Sequence, residues 1–192
     1  LALRNSVKTL KYKAVLDEDE TQWLIDLANF FKLKNEKVNK QFYSELLNRI
    51  YFISSSLALT LAAIESCWGT SRFSKQGSNI FGQWCFKKGC GMVPSSRSQG
   101  KGHEVATFSS VNASVGAYLR NLNSNQAYTN LRNIRKELRV NQEPTSGIAL
   151  AKGLLKYSEE GAHYVEKVSD FIRHNNLEKY DILFEEQLNQ TL

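Results

Sequence analysis

The sequence predicts a mainly α protein with one small β element, and three observations carry that prediction. Apolar residues recur at helical spacing over most of the chain, a central segment from residue 66 to about 108 abandons that spacing for glycines and turn residues, and the spacing returns after Ser110. The length, 192 residues, suits one domain or one domain with an appended helical segment.

Residues 1–16 are basic with scattered apolar positions and read as an extended or frayed lead-in. Asp17-Glu18-Asp19-Glu20 then opens a helix, because carboxylates favour the positive N-terminal dipole. Trp23, Leu24, Leu27, Phe30 and Phe31 mark one face of it, to about Lys34. After a charged linker, a second helix runs from about Asn39 to Arg49 with Phe42, Leu46 and Leu47 inward. Ser54-Ser55-Ser56 supplies hydroxyls to cap a third helix, which is apolar all round its wheel and therefore predicted to be buried.

In the central segment, Phe81, Trp84, Phe86 and Val93, and then Val105, Thr107 and Phe108, are compatible with short strands in a hairpin. Beyond it, Val115, Tyr118, Leu119 and Leu122 form one helical face, and Tyr128, Leu131, Ile134 and Leu138 the next. Pro144-Thr145-Ser146-Gly147 starts another helix, ending at Tyr157-Ser158. A break at Gly161 precedes a helix with Tyr164, Val165, Val168, Phe171 and Ile172, and a short helical tail offers Leu177, Tyr180, Leu183 and Phe184 for docking.

The net charge of +6 is uneven. Residues 151–192 carry more acids than bases, so the basic excess sits in residues 1–150, a balance that suits an anionic polymer. Nucleic acid is not expected, because there is no compact Lys/Arg run or nucleic-acid motif. No apolar run is long enough for stable membrane insertion, and no signal peptide is present; the chain begins with Leu rather than Met, as a processed or truncated product would.

Of three cysteines, Cys85 and Cys90 flank a turn-like loop and could close a local disulfide in an oxidising compartment, unless Cys67 partners one of them. The three cysteines and His103 lack the close ligand pair of a zinc site, so no metal and no cofactor is expected. Cys67 has no nearby histidine to make it a nucleophile.

One carboxylate stands out. Glu65 ends the all-apolar helix; burial and the negative C-terminal dipole both raise its pKa, which favours the protonated form that a general acid needs. A structural carboxylate paired with a base such as Arg72 is the plain alternative. Residues 66–103 then contain no acid but six bases, Arg72, Lys75, Lys87, Lys88, Arg97 and Lys101, before Glu104 on the far arm of the expected hairpin. This pattern reads either as a cationic cleft with a carboxylate on each wall or as a solvated loop.

Glu65-Ser66-Cys67-Trp68-Gly69-Thr70-Ser71, then Asn79-Ile80-Phe81-Gly82, and Tyr157-Ser158 with Tyr164 together resemble the bacterial glucosaminidase family of peptidoglycan hydrolases. The stretch Phe81 to Gly91 and Tyr118-Leu119-Arg120-Asn121-Leu122-Asn123 are most similar to its Bax subgroup. The resemblance spans roughly residues 50–176, leaving 1–49 as a helical flanking segment and 177–192 as a helical tail.

It implies a lysozyme-like α+β fold with a β-hairpin lobe over the cleft, a periplasmic or cell-envelope location, and a monomer acting on peptidoglycan glycan strands. It further implies that Glu65 is the general acid of an endo-β-N-acetylglucosaminidase, cleaving between N-acetylglucosamine and N-acetylmuramic acid. Glu104 is the candidate second carboxylate, and Tyr157 matches the family's reaction-centre tyrosine, although Ser158-Glu159 departs from the usual Ala-Thr after it. Trp68, Asn79, Phe81, Trp84 and Tyr164 are the candidate substrate-binding and cleft-wall residues. A lytic transglycosylase on the same fold, or a non-catalytic binding module, are the alternatives.

Overall fold

The basic N-terminal segment, expected to be an extended or frayed lead-in, is helical in the computed structural model, which describes residues 2–34, 37–95, 100 and 102–191. Helix α1 (Ala2–Tyr12) sets Val7 fully inside and packs Leu10 beside it, so apolar residues three and four apart outweigh the positive charge around them. Helix α2 (Glu18–Phe30) begins with a complete capping box between Asp17 and Glu20. It ends earlier than the pattern suggested, because Lys32 takes a left-handed φ of 56° and the Leu33 amide turns back to the Ala28 carbonyl. Helix α3 (Lys40–Arg49), capped by Asn39, completes this layer. Its core is a cluster of its own, with Val7, Leu24, Phe31, Phe42 and Leu46 at the centre.

The main core surrounds α4 (Ser55–Ser66), whose Leu57 and Leu61 are fully buried against Leu122, Leu131, Leu150, Leu154, Val168 and Ile172. After α5 (Arg72–Gly77), the expected hairpin is instead a three-stranded antiparallel sheet of very short strands: β1 (Trp84–Cys85), β2 (Gly91–Met92) and β3 (Glu104–Ala106), in spatial order β1-β3-β2. Trp84 pairs with Val105 and Gly91 with Ala106, while Phe81 lies before the sheet and Thr107 and Phe108 after it. Gly91 is required there, since a Cβ would lie 2.0 Å from the Val105 carbonyl oxygen. Cys85 and Cys90 form a disulfide across the loop that joins β1 to β2, and Cys67 is free and exposed. The chain is thus mainly α with a small β lobe, the lysozyme-like α+β class. Arg97 and Lys101, two of the six bases of the acid-free segment, lie outside the described residues.

Of the helices α6 (Val111–Ser124), α7 (Thr129–Val140), α8 (Gly147–Ala151) and α9 (Ala162–His174), α8 and α9 pack on α4 and on each other, and α7 packs on both α6 and α8. Tyr128 falls in a 3-10 turn before α7, and α8 is much shorter than expected, with Leu154 to Tyr157 in turns. The seam with the N-terminal layer is held by arginines. Arg135 is fully buried and donates to the carbonyls of Asn48, Tyr51 and Phe52 and to the Asn123 side chain. Burial, then the neighbouring cations of Arg139, Arg132 and Arg4, push its pKa down to about 9.

Helix α10 (Lys179–Thr191) docks on α4 and caps two helices at once. The buried Asp181 carboxylate accepts the Ser56 amide at 2.8 Å, the Ser56 hydroxyl at 2.5 Å and the Gly147 amide at 3.1 Å, satisfying orphan donors at the starts of α4 and α8. Glu185 does the same for the Thr145 amide. Among the described residues, no helix is long and apolar enough to cross a membrane.

Candidate active site

Glu65 leaves α4 one residue before the helix stops, and the next residues are built to stop it. The Ser66 hydroxyl donates to the Ala62 carbonyl at 2.6 Å and accepts the Gly69 amide at 2.7 Å. Cys67, Trp68 and Gly69 are all left-handed, and the Trp68 amide closes back on the Ala63 carbonyl. Ser71 then caps α5. The carboxylate therefore sits on a rigid helix end, held by a turn that two non-glycine residues adopt against their preference.

The loop from Asn79 to Gln83 closes the other side of Glu65. The Asn79 side chain accepts the amides of Phe81 and Gln83 and donates to the carbonyls of Gln83 and Ala106, so one amide folds the loop and ties it to β3. Phe81 is buried and stacks flat on Tyr118, with ring centroids 3.8 Å apart. Gly82 has a φ of 60°, and a Cβ there would stand 3.0 Å from Glu65 Oε2. A side chain would crowd the carboxylate as well as strain the backbone.

Glu65 is half-buried, and its pKa is raised chiefly by desolvation. Three groups act more weakly: the Tyr164 hydroxyl, which donates to Oε1 at 2.5 Å, and the Lys167 ammonium both lower the pKa, while Glu160 raises it. Tyr164 is itself shifted up, by burial and then by Glu65, so it remains a phenol and a donor. With Oε1 taken by that donor, Oε2, beside Gly82, is the oxygen left to carry a proton. Tyr157 stacks on Tyr164 and donates from its own hydroxyl to the Phe81 carbonyl at 3.1 Å, binding the loop to the segment before α9. Burial raises its pKa too.

Glu65, Tyr157, Phe81 and Gly82 border an open cleft of about 1150 Å³, large for a single sugar and suited to a length of polymer, whereas Tyr164, 3% exposed, is not among its lining residues. Glu65, Phe81, Gly82, Trp84, His103, Tyr118 and Tyr157 line it. Trp84 is half-exposed, with His103 stacked beneath its indole at 3.9 Å, an aromatic face on the lobe side.

The structure brings together Glu65, Tyr164, Tyr157, Phe81 and Trp84. It places three other candidates elsewhere. Trp68 is exposed against Phe171 and borders a separate apolar groove with Leu59 and Leu183. Asn79 is 1% exposed, its amide wholly engaged in the loop. Glu104 is 5% exposed and turned into the lobe, where its two oxygens accept the amides of Gly89 at 3.0 Å and Gly91 at 2.9 Å. It lies close to Cys85 and Cys90, but their sulfurs are joined to each other and offer no thiolate to a metal. Sequence reasoning missed the parts played by Gly82 and Glu160. The first had a signal, as the last residue of the Asn79–Gly82 block; Glu160 had none.

Residues 40–177 match the glucosaminidase family model, described as mannosyl-glycoprotein endo-beta-N-acetylglucosaminidase. The chain belongs to the glucosaminidase family. Protein bax of Escherichia coli (strain K12) is 35% identical over 164 residues, which make up 85% of this chain and 58% of that protein, so the chain spans little more than half the length of its relative. No solved structure matches it. The glucosaminidase segment contains α4, the lobe, α9 and most of the cleft lining, and leaves α1, α2 and α10 outside. A family of glycosidases acts on glycans, and the cleft has the size and the aromatic wall for one.

Proposed function

We propose that this glucosaminidase hydrolyses peptidoglycan as an endo-β-N-acetylglucosaminidase, cutting the β-1,4 bond between N-acetylglucosamine and N-acetylmuramic acid in the periplasm or cell envelope. The observation that carries the reading is Glu65: one half-buried carboxyl with a raised pKa, at a rigid helix end, open to a polymer-sized cleft.

In this mechanism Glu65 Oε2 gives its proton to the glycosidic oxygen as the bond to the anomeric carbon breaks. Water then adds to that carbon and its proton returns to the enzyme. Tyr164 keeps Oε1 engaged and fixes the direction of the acid. A second function must shield the developing positive charge. Glu104 performs it only if its carboxylate leaves Gly89 and Gly91. That engagement favours the other route, in which the oxygen of the substrate's 2-acetamido group attacks the anomeric carbon while Tyr157 orients the group. Residues 1–49 and α10 act in this scheme as flanking layers.

The test is digestion of purified peptidoglycan with mass spectrometry of the released muropeptides. New reducing-end N-acetylglucosamine, absent with Glu65→Gln, supports the proposal. A 1,6-anhydro end would assign the chain to the lytic transglycosylases, and no release beyond the Glu65→Gln control would leave it a binding module.

A further inference from the structure

One end of the cleft is built partly by residues outside the glucosaminidase segment. Lys32, in the left-handed turn after α2, borders the cleft although the family match begins at residue 40. The turn is fixed in place: Arg49 donates to the Phe31 carbonyl at 3.0 Å and to the Ser124 carbonyl at 2.7 Å, clamping the end of α2 to the end of α6. One helical turn before Ser124, Arg120 also borders the cleft, its guanidinium over the Phe30 ring at 5.1 Å. That contact gives a reason for Phe30 to stay 52% exposed, against the expectation that it packs inward: the ring is a shelf for the arginine. Ser124 is only 2% exposed, yet it borders the cleft and its hydroxyl has no hydrogen-bond partner among the described residues.

Neither Lys32 nor Arg120 is in an ion pair among the described residues. The acids that border the cleft, Glu65, Glu159 and Glu160, come from α4 and from the segment leading into α9. Two cations and a buried hydroxyl, gathered where the N-terminal layer meets α6, are thus left with donors to spend.

We infer that Lys32, Arg120 and Ser124 form an anion-reading subsite of the cleft, whose ligand is a carboxylate carried by the glycan strand. The inference rests on the reading of the cleft as a glycan site and adds what it selects. A planar carboxylate accepts two parallel bonds from a guanidinium, and an ammonium and a hydroxyl complete its shell. In peptidoglycan such carboxylates are carried by the stem peptides, and by the lactyl ether of muramic acid only where the stem has been removed. The N-terminal layer then acts as a specificity element rather than as padding.

The experiment uses the full chain carrying Glu65→Gln, so that glycan is held without being cut, and measures co-sedimentation with three insoluble substrates. These are native peptidoglycan, peptidoglycan whose carboxyls are capped as amides, and glycan stripped of stem peptides. The native form should bind roughly tenfold more tightly than the capped form, the size that two partly exposed charge pairs sustain. Adding Lys32→Gln with Arg120→Gln should erase that preference, and Arg120→Lys alone should keep only part of it, because an ammonium keeps the charge but not the planar fork; circular dichroism confirms that each variant is folded. Tight binding to the stripped glycan, whose lactyl carboxyls are newly free, shows that the subsite accepts that carboxylate on denuded strands, and weak binding assigns it to the stem peptide alone. Binding without a preference, or a preference that survives the double substitution, overturns this inference alone. Failure to bind any of the three overturns the peptidoglycan reading with it.

Discussion

Gly82→Ala separates two roles that a glycine beside the proposed general acid can have. Its φ of 60° places an alanine in the left-handed region, at about 1 kcal/mol. In a domain of this size that lowers Tm by roughly 2–4 °C. The new Cβ also stands 3.0 Å from Glu65 Oε2, so the carboxylate must yield by some tenths of an ångström. Tyr164 holds the other oxygen, and the acid can yield only by tilting out of line with its acceptor. A displacement approaching 1 Å costs on the order of a hundredfold in rate, so a tilt of this size should lower kcat/KM by about tenfold or more. Gly69→Ala is the matched control. Gly69 is also left-handed, at 76°, but a Cβ there meets nothing within 4 Å. The assay is kcat/KM on soluble peptidoglycan fragments beside thermal unfolding of both variants. Equal losses of Tm with a loss of activity in Gly82→Ala only is the expected result. Equal activities in the two would show that the space beside Oε2 does not matter, and the acid would have to be sought elsewhere.

Three further perturbations probe the rest of the site and its support. Tyr164→Phe removes a donor that favours the charged form of Glu65, so the acid keeps its proton to higher pH; the alkaline limb of the kcat/KM profile should move to higher pH. Glu104→Gln turns an amide donor toward one of the glycine N–H groups and should cost about 1–3 kcal/mol in unfolding experiments, with kcat within severalfold of wild type; a loss as deep as that of Glu65→Gln would return this carboxylate to the chemistry. Asp181→Ala strips acceptors from the starts of α4 and α8 and should lower stability by about 2–3 kcal/mol, read by denaturant midpoint, while the cleft end of α4 keeps its own fastenings.

The helices of the main domain were legible because their apolar periodicity coincides with the core that they form. α4 shows both the strength and the limit of this: Leu57 and Leu61 are fully buried in that core, while Leu59, on the same apolar wheel, is 46% exposed beside a groove. The first helix was not, because a predominantly basic segment hides the Val7 and Leu10 pair that packs it. Strand order was beyond reach: β1, β2 and β3 are two or three residues long, too short for alternation to register, and a disulfide with a buried carboxylate supplies what length does not. At the site, Glu65 could be picked out because a lone acid in an apolar run is costly unless it is used. Glu104 drew attention as the next acid in the chain, yet order along the chain does not say which way a strand residue faces. The role of α10 rests on Asp181 and Glu185 meeting helix starts that are more than thirty residues away in sequence, which no local pattern announces.

The account stands on Glu65 holding its proton above the ordinary carboxylate range of about 4.5. Carboxyl 13C NMR titration of the glutamate-labelled protein, with the Glu65 resonance assigned from its absence in Glu65→Gln, measures this directly. A midpoint above that value, moving further up in Tyr164→Phe, is the predicted result. A midpoint at or below it, unmoved by loss of the tyrosine hydroxyl, would contradict the assignment of Glu65 as the proton donor.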